Sequence, residues 1–237
     1  MNEEEHKGPR CIGIVVDGNR RWARQKRIPL VEGHRAGYKK LRDVVEWAKE
    51  SSVRYLIFYA FSMENWNRPS DEVFYLMKLI PEVFTRDIEK FKRNSVRIRI
   101  IGERGRFSRR IQEILNRAEQ ETEQFSDYTV CFALSYGGRE EILHAVQRLI
   151  QERGEGMGIA THPVTKEEFH NYLYASDIPD PDIIIRTSGE QRLSNFLTWQ
   201  SAYAELFFTK TLWPDFSKEE FTEILAAYGV RDRRFGK

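Results

Sequence analysis

The stretch Cys11–Trp22, CIGIVVDGNRRW, decides the fold, because an unbroken apolar run stops at an aspartate, a glycine, an asparagine and two arginines. Ile12, Ile14, Val15 and Val16 are β-branched, with neither helical spacing nor polar alternation. That is the pattern of a strand covered on both faces of a parallel sheet. Its carboxyl end opens a crevice where the following helix offers free backbone N–H groups to an anion. Gly18 permits close approach of the backbone, Arg20 and Arg21 supply fork-shaped phosphate donors, and Asp17 is the single acid among them. A lone carboxylate in a basic phosphate site suits Mg²⁺, which takes one or two carboxylates plus substrate phosphates. Taken alone, Asp17-Gly18-Asn19 also reads as a plain strand-to-helix turn.

Working outward, the same design recurs. Tyr55–Phe61 reads as a second strand running into Ser62-Met63-Glu64-Asn65-Trp66-Asn67-Arg68, and Asp182–Arg186 as a fifth running into TSGEQRLS. Strands are also expected at Val96–Gly102, Tyr128–Tyr136 and Ala204–Thr209. Helices are expected over Gly33–Ser51, over Ser70–Lys92 with a kink at Pro81, over Phe107–Phe125 and over Gly138–Arg153. Two Ser/Thr-x-x-Glu boxes, at Thr165 and Ser217, start a short helix and a final one running toward Arg234, and Gly154, Gly156 and Gly158 read as a surface loop. The alternation predicts an α/β protein: a mostly parallel, twisted sheet of about six strands flanked by helices.

At 237 residues the chain is long enough for one substantial core or two small ones, and it is read as a single domain over residues 11–237 behind a flexible acidic tail over residues 1–10. Charged residues make up 31%, yet the net charge is only +2, so the basic site is local and no general affinity for nucleic acid follows. No apolar run approaches the roughly 20 residues of a membrane span, and the polar start lacks a signal core, which predicts a cytoplasmic protein. Cys11 and Cys131 sit inside apolar strands and read as reduced core residues.

Three strands ending in polar clusters on one sheet edge make a single site, with Arg20, Arg21, Arg68, Arg186 and Arg192 enough for two diphosphates. Behind them Tyr59, Phe61, Phe74, Met77 and Phe84 read either as plain core or as the lining of an apolar cavity.

The segments DGNRRWA, EGHRAG, YAFSMENWNRP, RIIGERGRF, SYGGREEI, IIIRTSGEQRLSNFLTWQSAYAELFF and LWPDF, in that order, resemble the cis-prenyltransferases of the undecaprenyl diphosphate synthase type over Ile14–Arg234. The aspartate-rich DDxxD signature of trans-prenyl synthases is absent. The resemblance implies a Mg²⁺-dependent homodimer with an apolar tunnel between sheet and helices. It elongates an allylic primer such as farnesyl diphosphate with isopentenyl diphosphate, yielding a cis-polyprenyl diphosphate that carries glycans. A peripheral contact at the membrane surface would serve product release. By resemblance, Gly18, Asn19, Arg20, Arg21 and Trp22 hold the primer head. Asp17 positions the metal with Glu205 as a second carboxylate, while Arg186, Arg192, Leu193 and Ser194 bind isopentenyl diphosphate. Asn65 matches the residue of the proton step, although a neutral amide is a poor base, and His34, Ser62, Met63, Glu64, Trp66 and Arg68 match substrate contacts.

Three positions depart from the pattern. Leu30 stands where many members carry a phosphate-contacting arginine, Met63 where serine or threonine is usual, and Tyr128 where members making long products hold a smaller aliphatic residue. A tyrosine at the tunnel floor predicts a product shorter than eleven units. Two rival readings are a non-catalytic accessory subunit, which would be expected to lack Asp17, and a single-strand nucleic-acid binder using arginines beside aromatics.

Overall fold

The computed structural model describes residues 8–155 and 162–230. Six strands form one all-parallel sheet in the order β3-β4-β2-β1-β5-β6. They are β1 Cys11–Val15, β2 Tyr55–Ser62, β3 Val96–Ile101, β4 Tyr128–Tyr136, β5 Ile183–Arg186 and β6 Glu205–Phe208. The helices are α1 Asn19–Lys26, α2 Leu30–Glu50, α3 Ser70–Arg86, α4 Ile88–Arg93, α5 Arg109–Gln120, α6 Gly138–Glu155, α7 Lys166–His170 and α8 Lys218–Gly229.

Every β1 residue is buried because both faces of the sheet are covered. On one face Ile12, Ile14, Phe58, Phe132 and Ile185 pack with α2, α3 and α8 through Val44, Leu76 and Phe221. On the other, Val15, Ile57, Tyr59, Cys131 and Ile184 pack against Ile178, Phe196 and Leu197. Cys11 and Cys131 lie there as free thiols, and burial raises their pKa values. Strand order reverses at β1, with β2 on one side and β5 on the other, so a crevice opens at their carboxyl ends. The register sets Val15 beside both Tyr59 and Arg186, which brings the first, second and fifth polar clusters together.

Several boundaries move. Helix α2 begins at Leu30, straight after Pro29, rather than at Gly33. The helix expected over Ser70–Lys92 divides at Asp87, with Pro81 inside α3; Asp87 closes α3 through Val83 O and opens α4 by accepting from Phe91 N–H. Ser70 is the first residue of α3 and not its cap, whereas Ser108, Thr165 and Ser217 do cap α5, α7 and α8. Arg10, placed in the expected tail, is tied to the residue before β5: its N–H donates to Asp182 Oδ2 at 2.8 Å. Residues 1–7 of the expected tail, Gly156 and Gly158 of the glycine loop, and the end of the last helix toward Arg234 lie outside the described residues. Among the described residues no helix is long and apolar enough to cross a membrane.

Candidate active site

The first turn is fixed by its backbone. Asp17 N–H donates to Thr187 Oγ1 at 3.1 Å, and Asp17 O accepts from Thr187 Oγ1 at 2.6 Å and from Trp213 N–H at 3.0 Å. Gly18 has φ +115°, and a Cβ there would lie 3.0 Å from Leu212 Cα, so glycine is required on both counts. Asn19 packs against α2, where side chains in place of Gly33 and Gly37 would collide with it, and its Oδ1 is buried without a hydrogen-bond partner among the described residues. Trp22 faces away: its Nε1 donates to Asp215 Oδ1 at 2.7 Å, tying α1 to the turn before α8.

Arg186 anchors the fifth-strand cluster. Its buried guanidinium donates from Nη1 to Arg192 O at 2.6 Å and Ser194 Oγ at 2.7 Å, and from Nη2 to Asp17 Oδ2 at 2.9 Å. Arg21 reaches Ser188 Oγ and lies 3.8 Å from Asp17 Oδ2. Arg192 does not line the cleft; its guanidinium pairs with Glu190 on the surface. Leu193 packs against the second core face.

The second-strand cluster divides. Asn65 Oδ1 accepts from Ser62 N–H at 3.2 Å in a reciprocal cap of the short 3₁₀ turn Met63–Asn67. Because a backbone donor occupies Oδ1, the amide is oriented with its N–H₂ as the remaining polar end. Ser62, Glu64, Asn65 and Arg68 line the cleft. Met63 and Trp66 do not: both meet Ser135 Oγ, and the Trp66 ring packs between Phe61 and Phe107 at 5.0 and 5.5 Å.

Sequence reasoning missed Glu72. Its carboxylate, 5% exposed, accepts from Arg68 Nη1 at 2.9 Å and lies 3.3 Å from His34 Nε2 and 3.5 Å from Arg20 Nε. Burial lowers the His34 pKa, Arg68 and Arg20 push the same way, and Glu72 pulls it back up. Burial likewise lowers the Arg68 pKa. The available signal was the i,i+4 spacing of Arg68 and Glu72 across the start of α3.

Together these residues line a cleft of about 690 Å³ whose lining holds Arg20, Arg21, Arg24, Arg68 and Arg186 with Asp17 and Glu64 as its acids, while Glu72 pairs with Arg20 and Arg68 from beneath and Glu190 lies 3.7 Å from Arg21. Tyr59, with its hydroxyl between Tyr136 O at 3.1 Å and Ser194 O at 3.3 Å, and Asn195 complete the wall. Val16, Asn19, His34, Ala60 and Leu76 also line a second, apolar pocket of about 90 Å³ between α2, α3 and the sheet. That volume equals about three waters.

Phe61 and Phe84 line this pocket, and Phe84 meets Phe132 edge-on at 5.0 Å behind it. Phe74 is instead 62% exposed, and Met77 packs on the core outside the pocket. Tyr128 starts β4 with Lys49 over its ring, also away from the pocket. Glu205 opens β6 opposite Ile183, three residues before the level of Arg186, so this chain does not bring it to Asp17. Among the described residues no group of three or more His, Cys, Asp or Glu side chains could hold a metal by itself.

A family model described as a putative undecaprenyl diphosphate synthase matches residues 15–236. An isoprenyl transferase of Thermotoga maritima is 44% identical over 228 residues, 96% of this chain and 97% of that one. The ditrans,polycis-undecaprenyl-diphosphate synthase of Coxiella burnetii, named as specific for (2E,6E)-farnesyl diphosphate, is 44% identical over 96% of each chain. Among solved structures, lavandulyl diphosphate synthase from Lavandula x intermedia, in complex with dimethylallyl diphosphate, matches with a TM-score of 0.93. It is 29% identical, covering 98% of this chain and 100% of that one.

Proposed function

The chain belongs to the undecaprenyl diphosphate synthase family of prenyltransferases, and from that membership we propose how its cleft carries out cis-prenyl transfer to give a polyprenyl diphosphate. One observation carries the reading: an arginine-rich cleft with Asp17 and Arg186 paired at 2.9 Å shares its inner wall with an apolar pocket between α2, α3 and the sheet. A diphosphate head with an isoprenoid tail is complementary to that division.

The allylic diphosphate, farnesyl diphosphate in this proposal, sits on Gly18–Arg21 at the start of α1 with Arg20 and Arg68 as forks, its tail entering between α2 and α3. Isopentenyl diphosphate sits on Arg186 and Ser194, and Arg192 joins them by exchanging Glu190 for phosphate. The isopentenyl double bond attacks the allylic carbon as its C–O bond breaks, the diphosphate leaving with the bonding pair, and a proton then passes from C2 of the isopentenyl unit to a diphosphate oxygen or water, setting the new cis double bond. Because a neutral amide is a poor base and its oxygen already accepts from Ser62 N–H, Asn65 acts as a donor that orients a diphosphate oxygen.

Asp17 fits Mg²⁺ as the one protein carboxylate of a site whose other ligands would be diphosphate oxygens and water, since it lies at the lip of the cleft beside the arginines that would hold the diphosphate. When bound, the ion supplies neutralisation of charge on the departing diphosphate. Glu205 is not needed for that set.

The product is proposed to be a glycan carrier shorter than eleven units, with the Phe84–Phe132 pair rather than Tyr128 as the stop. Homodimer formation is supported by apolar surface at the β6 edge and on α6, where Leu143, Ile150 and Tyr203 are 62, 63 and 71% exposed. A cytoplasmic protein touching the membrane peripherally would do so through α3, where exposed Phe74 carries Lys78 over its ring. The nucleic-acid reading loses its stacking platform, since Trp66 is packed between two rings and Trp22 is tied to Asp215.

The test is incubation with farnesyl diphosphate and labelled isopentenyl diphosphate, with Mg²⁺ or with chelator, followed by chromatography of dephosphorylated products. Chain elongation only with the metal is expected; no elongation under either condition overturns the reading.

A further inference from the structure

The loop after β5 holds Ser194, Asn195 and Leu197 at φ of 51°, 66° and 46°, a left-handed conformation that costs of order 1 kcal/mol or more at each non-glycine residue. Such a run persists only where its surroundings dictate it. Here the start of α6 does so. Gly138 N–H donates to Asn195 O at 2.7 Å and Arg139 N–H to Asn195 Oδ1 at 2.9 Å, so Asn195 satisfies two of the free donors of α6. Its Nδ2 donates to Glu140 Oε2 at 2.9 Å and reaches Glu64 Oε1, on the opposite wall of the cleft, at 3.4 Å.

The helix side is shaped for the same contact. A Cβ on Gly137 would lie 2.6 Å from Asn195 Nδ2, and one on Gly138 would collide with Thr198 Oγ1 and lie 2.7 Å from its backbone nitrogen. Two sequence segments separated by β5 and α7 thus interlock with no room for another side chain. The residue held immediately before the latch is Ser194, whose Oγ receives Arg186 Nη1 at 2.7 Å.

We propose that Asn195 is a positioning residue that latches the Ser194–Leu197 loop to α6 and thereby sets Ser194 and Arg186 for isopentenyl diphosphate. The inference rests on the assignment of Arg186 and Ser194 to that substrate. The latch acts on one half of the cleft: its partners lie on α6 and on Glu64, whereas Arg20, Arg68 and His34 are held independently through Glu72.

The test measures KM for isopentenyl diphosphate and for farnesyl diphosphate separately, with thermal melts, in wild type, Asn195→Asp, Asn195→Gly, Gly138→Ala, Arg186→Ala and the double variant Asn195→Asp with Glu140→Gln. Asn195→Asp keeps the acceptor for Arg139 N–H but sets a carboxylate against Glu140 and Glu64. It should raise KM for isopentenyl diphosphate about tenfold or more and leave the primer KM within about twofold. Adding Glu140→Gln restores a donor to the new carboxylate and should recover most of the loss.

Asn195→Gly, which keeps the backbone conformation and removes the side chain, should fall between the two, and Gly138→Ala should repeat the selective effect from the helix side. Equal rises in both KM values, no rise in any folded variant, or a double variant no better than Asn195→Asp would overturn the latch. If Arg186→Ala leaves KM for isopentenyl diphosphate unchanged, the assignment of the half-site fails. If Arg186→Ala raises it and the Asn195 variants do not, only the latch fails.

Discussion

Two carboxylates serve the same cleft in opposite ways. Asp17 is 32% exposed and held by one close guanidinium, Arg186 at 2.9 Å, with Arg21 at 3.8 Å. Glu72 is 5% exposed and surrounded by Arg68, His34 and Arg20 within 3.5 Å. A carboxylate at the lip of a cleft can exchange partners with an incoming cation or diphosphate at low desolvation cost, whereas one enclosed by three cationic or ionisable groups cannot leave them without stranding buried charge. In the proposed mechanism the first belongs to the chemistry and the second to the geometry that precedes it. Activity and stability should separate accordingly when each is removed.

The largest effect expected is on turnover in Asp17→Ala, a loss of about 10³-fold or more where metal-assisted departure of diphosphate lowers the barrier. The fold should survive, because the turn is held by the backbone of Asp17 through Thr187 and Trp213 and not by its carboxylate. Steady-state assay and a melt on the same sample decide this. Retention of more than about a tenth of wild-type turnover, a loss under roughly 1.4 kcal/mol, would remove the metal role and erase the contrast.

Glu72→Ala is the complementary case. Removing one member of a buried ionic cluster typically costs about 3–5 kcal/mol, but Arg20 and Arg68 are 37 and 27% exposed and can rehydrate, so about 2–3 kcal/mol is expected here. Urea titration should show the loss in the midpoint, and Glu72→Gln should lose less because it still accepts from Arg68. An unchanged midpoint in Glu72→Ala would mean that the cluster does not stabilise the fold.

How much of this was legible in the sequence depends on the kind of signal. Apolar runs ending in polar clusters marked β1, β2 and β5, which meet at one sheet edge, while β3, β4 and β6 showed only as short runs bounded by turn residues. Glu72 escaped because its meaning depends on the start of α3 folding back against α1 and α2, a long-range contact with only an i,i+4 hint in the chain. Trp22, Met63, Trp66 and Arg192 lie in the right segments, yet partners take their side chains out of the cleft, a local one, Glu190, for Arg192 and long-range ones, Asp215 and Ser135, for the other three. Asn195 left no compositional trace, since left-handed backbone at a non-glycine residue is dictated by what packs on it.

Smaller than the effect on stability is the expected shift in product length. Phe84→Leu and Phe132→Leu open the inner end of the apolar pocket at the edge-on pair, at roughly 1 kcal/mol each, and should lengthen the dephosphorylated products seen by chromatography. Tyr128→Ala should leave them unchanged, because Tyr128 lies outside the pocket lining. The reverse pattern would move the stop to the strand's start.

The Glu72 cluster also predicts a pH dependence. The folded-state pKa of His34 lies below its ordinary value, so the unfolded chain binds the proton more readily, and stability rises with pH through that range. Stability from this group is complete above the ordinary histidine pKa of about 6.5 and declines as pH falls below it. Melting temperatures from about pH 7.5 to about pH 5 should fall more steeply in wild type than in His34→Gln. Parallel curves would show that Glu72 offsets the burial of His34 in full.

The smallest effect is expected at Leu30, where an arginine could add a fork to the primer site. Leu30 is the first residue of α2 and does not line the cleft, whereas Arg24, one helical turn after Arg20, does. If the primer head sits at the start of α1 as proposed, Arg24 is placed to supply the guanidinium that the Leu30 position lacks. A charged hydrogen bond is worth about 1.5–3 kcal/mol, and because Arg24 is exposed the lower part of that range applies, about a tenfold rise in primer KM for Arg24→Ala. Leu30→Arg should change primer KM by less than about twofold, since a fork placed beside an already complete diphosphate site meets no unpaired oxygen. If Leu30→Arg instead lowered the primer KM by more than about threefold while Arg24→Ala left it unchanged, the primer head would lie nearer the start of α2 than the start of α1, and the lip of the cleft would have to be redrawn around Leu30.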